Sequence, residues 1–447
     1  MSTAQATHPV KQALLEKLHQ EIVPELETLV QQLPEHLIDF RQAETKLRQG
    51  LLKVAQHLLE KWGQVADRAI ARPCCPKCGV PMRHKGLVSA TVVTTLAEVQ
   101  YRRPRWRCEQ GCGTECYPHD AVLCFLTHSV SWALAKVISR LAAQLGSFEE
   151  ASVTLEEDYG VHLAKETVRE VAEASGQHVL KQEDAQRQRI MERQEPLPEL
   201  AEDAKKPDKA CVLVDGTTVH SEGAWHDIRV TTVTAEDAEG KLLQQHSRAR
   251  FLPPPDVAYV LLLLARSVGY QHARLRAFLA DGAHWLWKVA DDYFGSAIQI
   301  LDWYHLAEHV HKAAKALWGE GSEAAQEWAK RLKDELWEGR GSVVLDWVRA
   351  EHTKVRSPAK REALHELETY LENNLSRIDY PRYRALGLPV GSGRVEAQCK
   401  TLVGARCKQA GMRNWTYAGA EGVLRMRAAW HDCSFHDLWE RELRLAA

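Results

Sequence analysis

The chain has 447 residues, of which 45% are hydrophobic and 26% are charged, and its formal net charge is −2. These proportions are typical of globular proteins, and the near-neutral charge excludes a globally basic nucleic-acid-binding chain. No apolar run approaches the roughly 20 residues that span a bilayer, and the first residues lack the pattern of a secretory signal. We therefore expect several domains, a cytoplasmic location without membrane association, and nucleic-acid binding only through local basic patches.

The first part of the chain changes pattern twice. Apolar residues recur at helical spacing up to about residue 70, which predicts a helical N-terminal region over 1–72. A cysteine-rich stretch over 73–120 contains an alternating segment that predicts a β-hairpin. Residues 125–180 return to helical spacing around a turn at Gly160, a pattern that fits a helix-turn-helix DNA-binding region. Any other helical hairpin would have the same spacing.

Four cysteines form two close pairs on either side of the predicted hairpin. They are Cys75, Cys78, Cys108 and Cys112. Two such knuckles can deliver four thiolates to one tetrahedral ion, so we predict a zinc ribbon that holds a structural Zn²⁺. Cys74 and Cys116 are adjacent and could substitute as ligands.

The second part of the chain has an α/β pattern. A polar, proline-containing connector over 181–209 precedes it. Residues 210–305 predict three meandering strands followed by alternating helix and strand. Residues 306–386 are almost wholly helical and predict an insertion, after which the chain returns to the core over 387–447. The predicted fold class is therefore a multidomain α+β and α/β protein.

Three carboxylates stand where an α/β fold places its ligands. Asp215 and Asp281 each end an apolar segment and precede a glycine, and Glu396 follows a Gly-Ser-Gly turn into a helix. Strand ends open onto a crevice, where a carboxylate is costly unless it is paired or binds a cation. We predict that the three acids meet and bind two Mg²⁺ ions, with Mn²⁺ as a substitute. A simple turn is the alternative for either Asp-Gly step alone.

Four segments carry a family resemblance: VLVDGTTV, LADGAHW, ILDWYHLAEH and GSGRVEAQCKTLVGARCKQAGMRNW. They resemble the signature blocks of bacterial DDE transposases of the ISKra4 insertion-sequence family. The resemblance covers most of the chain and implies an RNase H-like catalytic core that cleaves DNA at transposon ends and joins it to target DNA. By motif, it implies Asp215, Asp281 and Glu396 as the catalytic acids, with Asp302 and His305 in a supporting role. Asp302 is the rival second acid; we prefer Asp281 because it closes the fourth predicted strand of the core.

Two basic groups are predicted to contact DNA. The first would hold the scissile strand by phosphate contact and stacking, and comprises Lys400, Arg406, Lys408, Arg413 and Trp415. The second lies on the predicted ribbon, where solvated charge is the alternative, and comprises Arg102, Arg103, Arg105 and Arg107. Because two DNA ends must be brought together, we expect a homodimer or larger assembly on DNA, associated with the nucleoid.

Two other functions stay open on the sequence alone. His305, Glu308 and His309 match the HxxEH pattern of inverted zinc peptidases, although so short a match in a His- and Glu-rich chain is suggestive only. The other is a catalytically inert, zinc-containing DNA-binding regulator derived from a transposase. The presence of all three acids argues against that reading.

Overall fold

The computed structural model describes residues 9–31, 40–65, 72–126, 128–200, 202 and 204–443. Parts of the predicted N-terminal helical region, at 1–8, 32–39 and 66–71, lie outside these residues. Among the described residues there are two compact units. Unit 1 comprises those up to Ala142 together with Ser147–Ala172, and unit 2 comprises Ala143–Gly146 and Glu173–Leu443. No helix in the described part of the chain is both long and apolar enough to cross a lipid bilayer.

The first elements are mainly helical, with one small sheet. In chain order they are α1 (Pro9–Gln31), α2 (Phe40–Val65), β1 (Arg83–Val93), β2 (Glu98–Arg107), β3 (Glu115–Cys116), α3 (Pro118–Leu123), α4 (Trp132–Gln144), α5 (Phe148–Tyr159) and α6 (Lys165–Met191). The predicted hairpin is observed: β1 and β2 pair antiparallel, and β3 adds to β2. Its apolar face packs Val92, Val99 and Tyr101 together.

Helices α5 and α6 are joined by a short turn, as the spacing predicted. The Ser147 side chain caps α5 by accepting a hydrogen bond from the Glu150 N–H, and Gly160 ends the helix in the left-handed region at φ 66°. Helix α6 then runs to Met191. The start of the predicted 181–209 connector is therefore helical, because the Gln-, Glu- and Arg-rich sequence of 181–191 has good helix propensity. The division between the units also falls inside α6, not in that connector.

Unit 2 contains five strands and most of the helices. They are β4 (Lys209–Ser221), β5 (Ala224–Glu236), β6 (Leu242–Arg250), α7 (Pro254–Ser267), β7 (Leu275–Ala280), α8 (His284–Tyr293), β8 (Ile298–Leu301), α9 (Trp303–Trp318), α10 (Glu323–Trp337), α11 (Gly341–Lys354), α12 (Pro358–Asn374), α13 (Tyr380–Ala385), α14 (Gly393–Gln398), α15 (Ala405–Cys407), α16 (Tyr417–His431) and α17 (Phe435–Leu438). A π-helical segment, Cys399–Gly404, joins α14 to α15.

The five strands form one mixed sheet in the order β6-β5-β4-β7-β8. Strands β4, β5 and β6 are an antiparallel meander, whereas β7 and β8 run parallel to β4. The central strands are almost continuously apolar, as expected for strands that are covered on both faces: residues 210–214 of β4 and Ala277–Ala280 of β7 are buried. Helices α9 to α13 lie in sequence between β8 and α14, where the sequence predicted an insertion.

Candidate functional site

The four predicted cysteine ligands converge. The Sγ atoms of Cys75, Cys78, Cys108 and Cys112 all lie within 4.8 Å of one another. Left-handed glycines turn the chain in both knuckles, Gly79 in the first and Gly111 in the second. Cys116 packs against the cluster and Cys74 is exposed, but neither joins the convergent group. Four thiols in this arrangement can hold a structural metal ion such as Zn²⁺.

The aspartates lie at one level across three neighbouring parallel strands. Leu213 of β4 pairs with Leu279 of β7, and Ala280 of β7 pairs with Leu301 of β8. Continuing these registers brings Asp215, Asp281 and Asp302 side by side. The backbone N–H of Asp302 donates to the carbonyl oxygen of Ala280 over 2.9 Å, which fixes the β8 side of this row.

Asp215 differs from the sequence prediction in one respect. It does not end its strand, because β4 continues to Ser221 in a long hairpin with β5. What ends near Asp215 is the pairing of β4 with β7. The β-branched residues after Asp215, including Thr217 and Val219, favour the extended strand.

Helix α14 brings Glu396 to Asp215. Burial raises the pKa of Asp215, and the nearby Glu396 carboxylate raises it further. Cys399, one helical turn after Glu396, donates from Sγ to Asp215 Oδ2 over 3.6 Å. The Ser392 hydroxyl donates to Glu396 Oε1 over 2.5 Å and holds this carboxylate near the start of the helix. The chain bends at Gly391 and turns at Ser392 before the helix, as expected of the glycines before Glu396, and a Cβ at Gly391 would lie 2.6 Å from the ring of Tyr304.

Asp302 and His305 form a tight pair beside the other acids. Asp302 Oδ2 lies 2.7 Å from His305 Nδ1, while Oδ1 accepts from the N–H groups of Tyr304 and Ser392. The hydrogen bond to Asp302 and the charges of Asp302, Asp281 and Asp215 raise the pKa of His305 to about 9. His305 is therefore an imidazolium at neutral pH, and a cation lies among the carboxylates.

The two candidates for second acid have different surroundings. Asp302 is 1% exposed, caps α9, and uses both carboxylate oxygens. Asp281 is partly exposed, and Oδ1 accepts from the Ala283 N–H over 2.9 Å. Within the described part of the chain, no hydrogen bond is made by Asp281 Oδ2. Asp281 is therefore the more available of the two for an external ligand.

In the part of the chain that the structure describes, only the four cysteines bring their ligand atoms close enough together to hold a metal ion. Among the described residues, no other group of three or more His, Cys, Asp or Glu side chains brings its ligand atoms together in this way. The ligand atoms of Asp215, Asp281 and Glu396 therefore do not come together in this way, and neither do those of His305, Glu308 and His309. His305 is bonded to Asp302, and the ring of His309 stacks on Tyr370 with centroids 3.8 Å apart.

The residues after Glu396 that were predicted to contact DNA differ in their exposure to solvent. Lys400, Lys408 and Arg413 are exposed, and the Lys408 ammonium contacts the Thr217 hydroxyl on β4. Arg406 and Trp415 are 0% and 6% exposed, and the guanidinium lies over the indole ring at 5.0 Å. The prediction that these two contact DNA is therefore corrected: their burial makes them part of the core of unit 2.

The ribbon arginines also divide by environment. Arg102 and Arg107 are exposed, whereas Arg105 is half-buried. Arg103 forms an ion pair with Asp120 and lies 4.1 Å above the ring of Tyr117. The charge of Arg103 is thus used within unit 1, so Arg102 and Arg107 are the better candidates for phosphate contact.

The acid site comprises Asp215, Asp281, Asp302, His305 and Glu396. Sequence reasoning missed two residues that contact it, Cys399 and Tyr370. Cys399 follows Glu396 by one helical turn, and this spacing could have identified it. Tyr370 lies on α12, within the helical insertion, and its hydroxyl donates to the carbonyl oxygen of Asp281 over 2.7 Å. No local sequence pattern indicates such a contact.

No family model matches the chain, and no curated protein is significantly similar to it in sequence.

Proposed function

We propose that this chain is a DNA transposase of an insertion sequence, with an RNase H-like core that cleaves and joins DNA by a three-acid mechanism. The observation that carries the proposal is the placement of Asp215 and Asp281 at one level of two parallel strands, with Glu396 of a helix close enough to raise the pKa of Asp215. The strand order β6-β5-β4-β7-β8, with an antiparallel meander and two parallel additions, supports an RNase H-like core. The helical stretch between β8 and α14 agrees with the insertion that the helical pattern of 306–386 predicts.

The donor set suits Mg²⁺ by its chemistry. Carboxylate oxygens are the ligands that Mg²⁺ prefers, and the raised pKa of Asp215 reflects a buried acid next to a second carboxylate. A divalent cation would relieve this cost. When bound, Mg²⁺ would activate a water or a 3′-hydroxyl and stabilise the leaving oxygen of an in-line displacement at phosphorus.

Residues of this chain then have distinct proposed roles. Asp215, Asp281 and Glu396 would hold the cations and orient the scissile phosphate. His305, held by Asp302, offsets negative charge among the acids. The exposed cations Lys400, Lys408 and Arg413 bind the phosphates of the scissile strand, and the exposed ribbon arginines bind the element end. Synapsis of two ends would require at least two copies of the chain.

A second candidate is a DNA-binding regulator with an inert core. One observation favours it: in the described part of the chain only the cysteines converge as a ready metal site. Under this proposal the ribbon and the α5–α6 pair would bind DNA, and the acids would stabilise the fold through His305.

Both candidates are tested by incubating the purified, zinc-loaded protein with DNA that flanks its own gene, with and without Mg²⁺. We expect Mg²⁺-dependent nicks that leave free 3′-hydroxyls at the element ends. End binding without nicking, at any Mg²⁺ or Mn²⁺ concentration, would favour the regulator. Failure to bind these DNA ends would contradict both candidates.

A further inference from the structure

The helical insertion makes a direct contact with the backbone of the second proposed acid. Tyr370 lies on α12, and its hydroxyl donates to the carbonyl oxygen of Asp281 over 2.7 Å. Burial raises the pKa of Tyr370, so the phenol stays protonated and remains a donor. The hydrogen bond joins an element of the insertion to the end of a central strand of the sheet.

The turn after Asp281 is shaped to lie against this ring. Gly282 has a φ of +98°, which L side chains rarely adopt. A Cβ at Gly282 would lie 2.8 Å from Cε2 and 3.0 Å from the hydroxyl oxygen of Tyr370. Within the same turn, the Ala283 N–H donates to Asp281 Oδ1. The position of this turn therefore sets the direction of the Asp281 carboxylate.

The Tyr370 ring is itself held by a second helix of the insertion. His309 of α9 stacks on it, with ring centroids 3.8 Å apart and planes 16° from parallel. One turn earlier on α9, His305 is bonded to Asp302. Helices α9 and α12 thus contact the ends of β8 and β7 at adjacent points, through Asp302 and Asp281.

We propose that Tyr370 is a positioning residue that fixes the Asp281 carboxylate for cation binding, so that the insertion is part of the catalytic apparatus. This inference rests on the proposed function. Residues that orient metal ligands through one hydrogen bond commonly alter metal affinity by one to two orders of magnitude when removed. The main effect of losing the Tyr370 hydroxyl is therefore expected in cation affinity, with a smaller effect on folding.

The chain offers a matched control. The Tyr383 hydroxyl also donates to a strand carbonyl, that of Gln299 on β8, over 3.3 Å. Gln299 lies within the strand, away from the row of acids. Tyr370→Phe and Tyr383→Phe each delete one phenol-to-carbonyl hydrogen bond and keep the ring, but only the first deletion touches an acid.

The experiment measures Mn²⁺ binding to zinc-loaded protein by electron paramagnetic resonance of the free ion, and the Mg²⁺ concentration that half-activates DNA cleavage. For Tyr370→Phe we expect both midpoints to rise by about tenfold, with end binding unchanged. For Tyr383→Phe we expect midpoints close to those of the unmodified chain. Unchanged midpoints in Tyr370→Phe, or equal shifts in both variants, would overturn the positioning role.

The same experiment distinguishes this failure from failure of the proposed function. If the unmodified chain cleaves DNA and loses Mn²⁺ binding on Asp281→Asn, the proposed function stands whatever Tyr370→Phe does. If the unmodified chain neither cleaves DNA nor binds Mn²⁺ through Asp281, the proposed function and the role of Tyr370 are both overturned.

Discussion

The cysteine cluster draws its ligands from one short stretch of chain, residues 75–112, whereas the acid site draws its carboxylates from residues 215–396. Two turns and a hairpin are sufficient to bring the four thiols together. The acids are placed near one another only when three strands and a helix have packed. A local site can therefore be predicted in detail from spacing, while an assembled site depends on tertiary contacts that spacing does not encode. The two sites should therefore respond differently to the same perturbations.

The greatest change is expected when one of the four cysteines that can hold a metal ion is replaced. Structural zinc sites contribute about 10 kcal/mol or more of apparent binding free energy, so Cys108→Ser should release the ion and unfold the ribbon locally. Zinc content by mass spectrometry should fall from one ion per chain to near zero. Cys74→Ser is the matched control and should retain zinc, because Cys74 is exposed and outside the convergent group. Equal zinc loss in both variants would contradict the assigned ligand set.

The next largest effect separates the two candidate second acids. Asp281→Asn should reduce the rate of DNA cleavage by roughly a thousandfold or more, since removing a cation ligand costs several kcal/mol of transition-state stabilisation. Asp302→Asn keeps an oxygen that can cap α9 and should reduce the rate less. Zinc content should be unchanged in both variants. A larger rate loss in Asp302→Asn at equal thermal stability would make Asp302 the second acid.

A packing change should damage the assembled site and spare the local one. Gly176 of α6 meets Gly422 of α16 so closely that a Cβ at Gly176 would lie 1.8 Å from the Gly422 carbonyl oxygen. Gly176→Ala should destabilise unit 2 by roughly 1–3 kcal/mol, as measured by urea unfolding, with zinc retained. Gly393→Ala, where a Cβ would meet nothing within 4 Å, is the control for stability. Equal stability of the two variants would argue against this close helix crossing.

The pair of His305 and Asp302 predicts a pH dependence confined to the acid site. The pKa of His305 is raised from its ordinary 6.5 to about 9, so the protonated pair stabilises the fold. That stabilisation is fully present below pH 6.5 and is lost as the pH rises through about 9. Between pH 6 and 9.5, without added Mg²⁺, the chain should lose about 1–2 kcal/mol more stability than His305→Gln. If the stabilities of the unmodified chain and of His305→Gln changed equally over this pH range, the pairing of His305 with Asp302 would be contradicted.

The smallest effect concerns the exposed ribbon arginines. Arg102→Gln should weaken binding of element ends a few-fold. The slope of log affinity against log salt concentration should become shallower by about one, as expected for one lost phosphate contact. Lys330→Gln is a control on the insertion, where Lys330 is paired with Asp334 on α10. If the affinity of the unmodified chain and of Arg102→Gln changed equally with salt concentration, Arg102 would make no phosphate contact and would be only a solvated charge.

The features predicted best from sequence are those that depend on nearby residues. The four cysteines, the hairpin between them and the alternation of strands and helices follow from spacing and hydrophobic pattern. The continuation of β4 beyond Asp215 was missed because the apolar pattern stops there although pairing with β5 continues. The burial of Arg406 was missed because a basic residue on a helix is usually exposed. Tyr370 could not be identified, since its contact with Asp281 joins residues from distant parts of the chain.

The most direct test of the three-acid account compares the unmodified chain with Glu396→Gln, a substitution that preserves shape and removes the charge. Cleavage of element-end DNA in Mg²⁺ and binding of the same DNA are measured on zinc-loaded protein. We predict that cleavage is lost while end binding and zinc content are retained. Cleavage by Glu396→Gln at a rate close to that of the unmodified chain would contradict it.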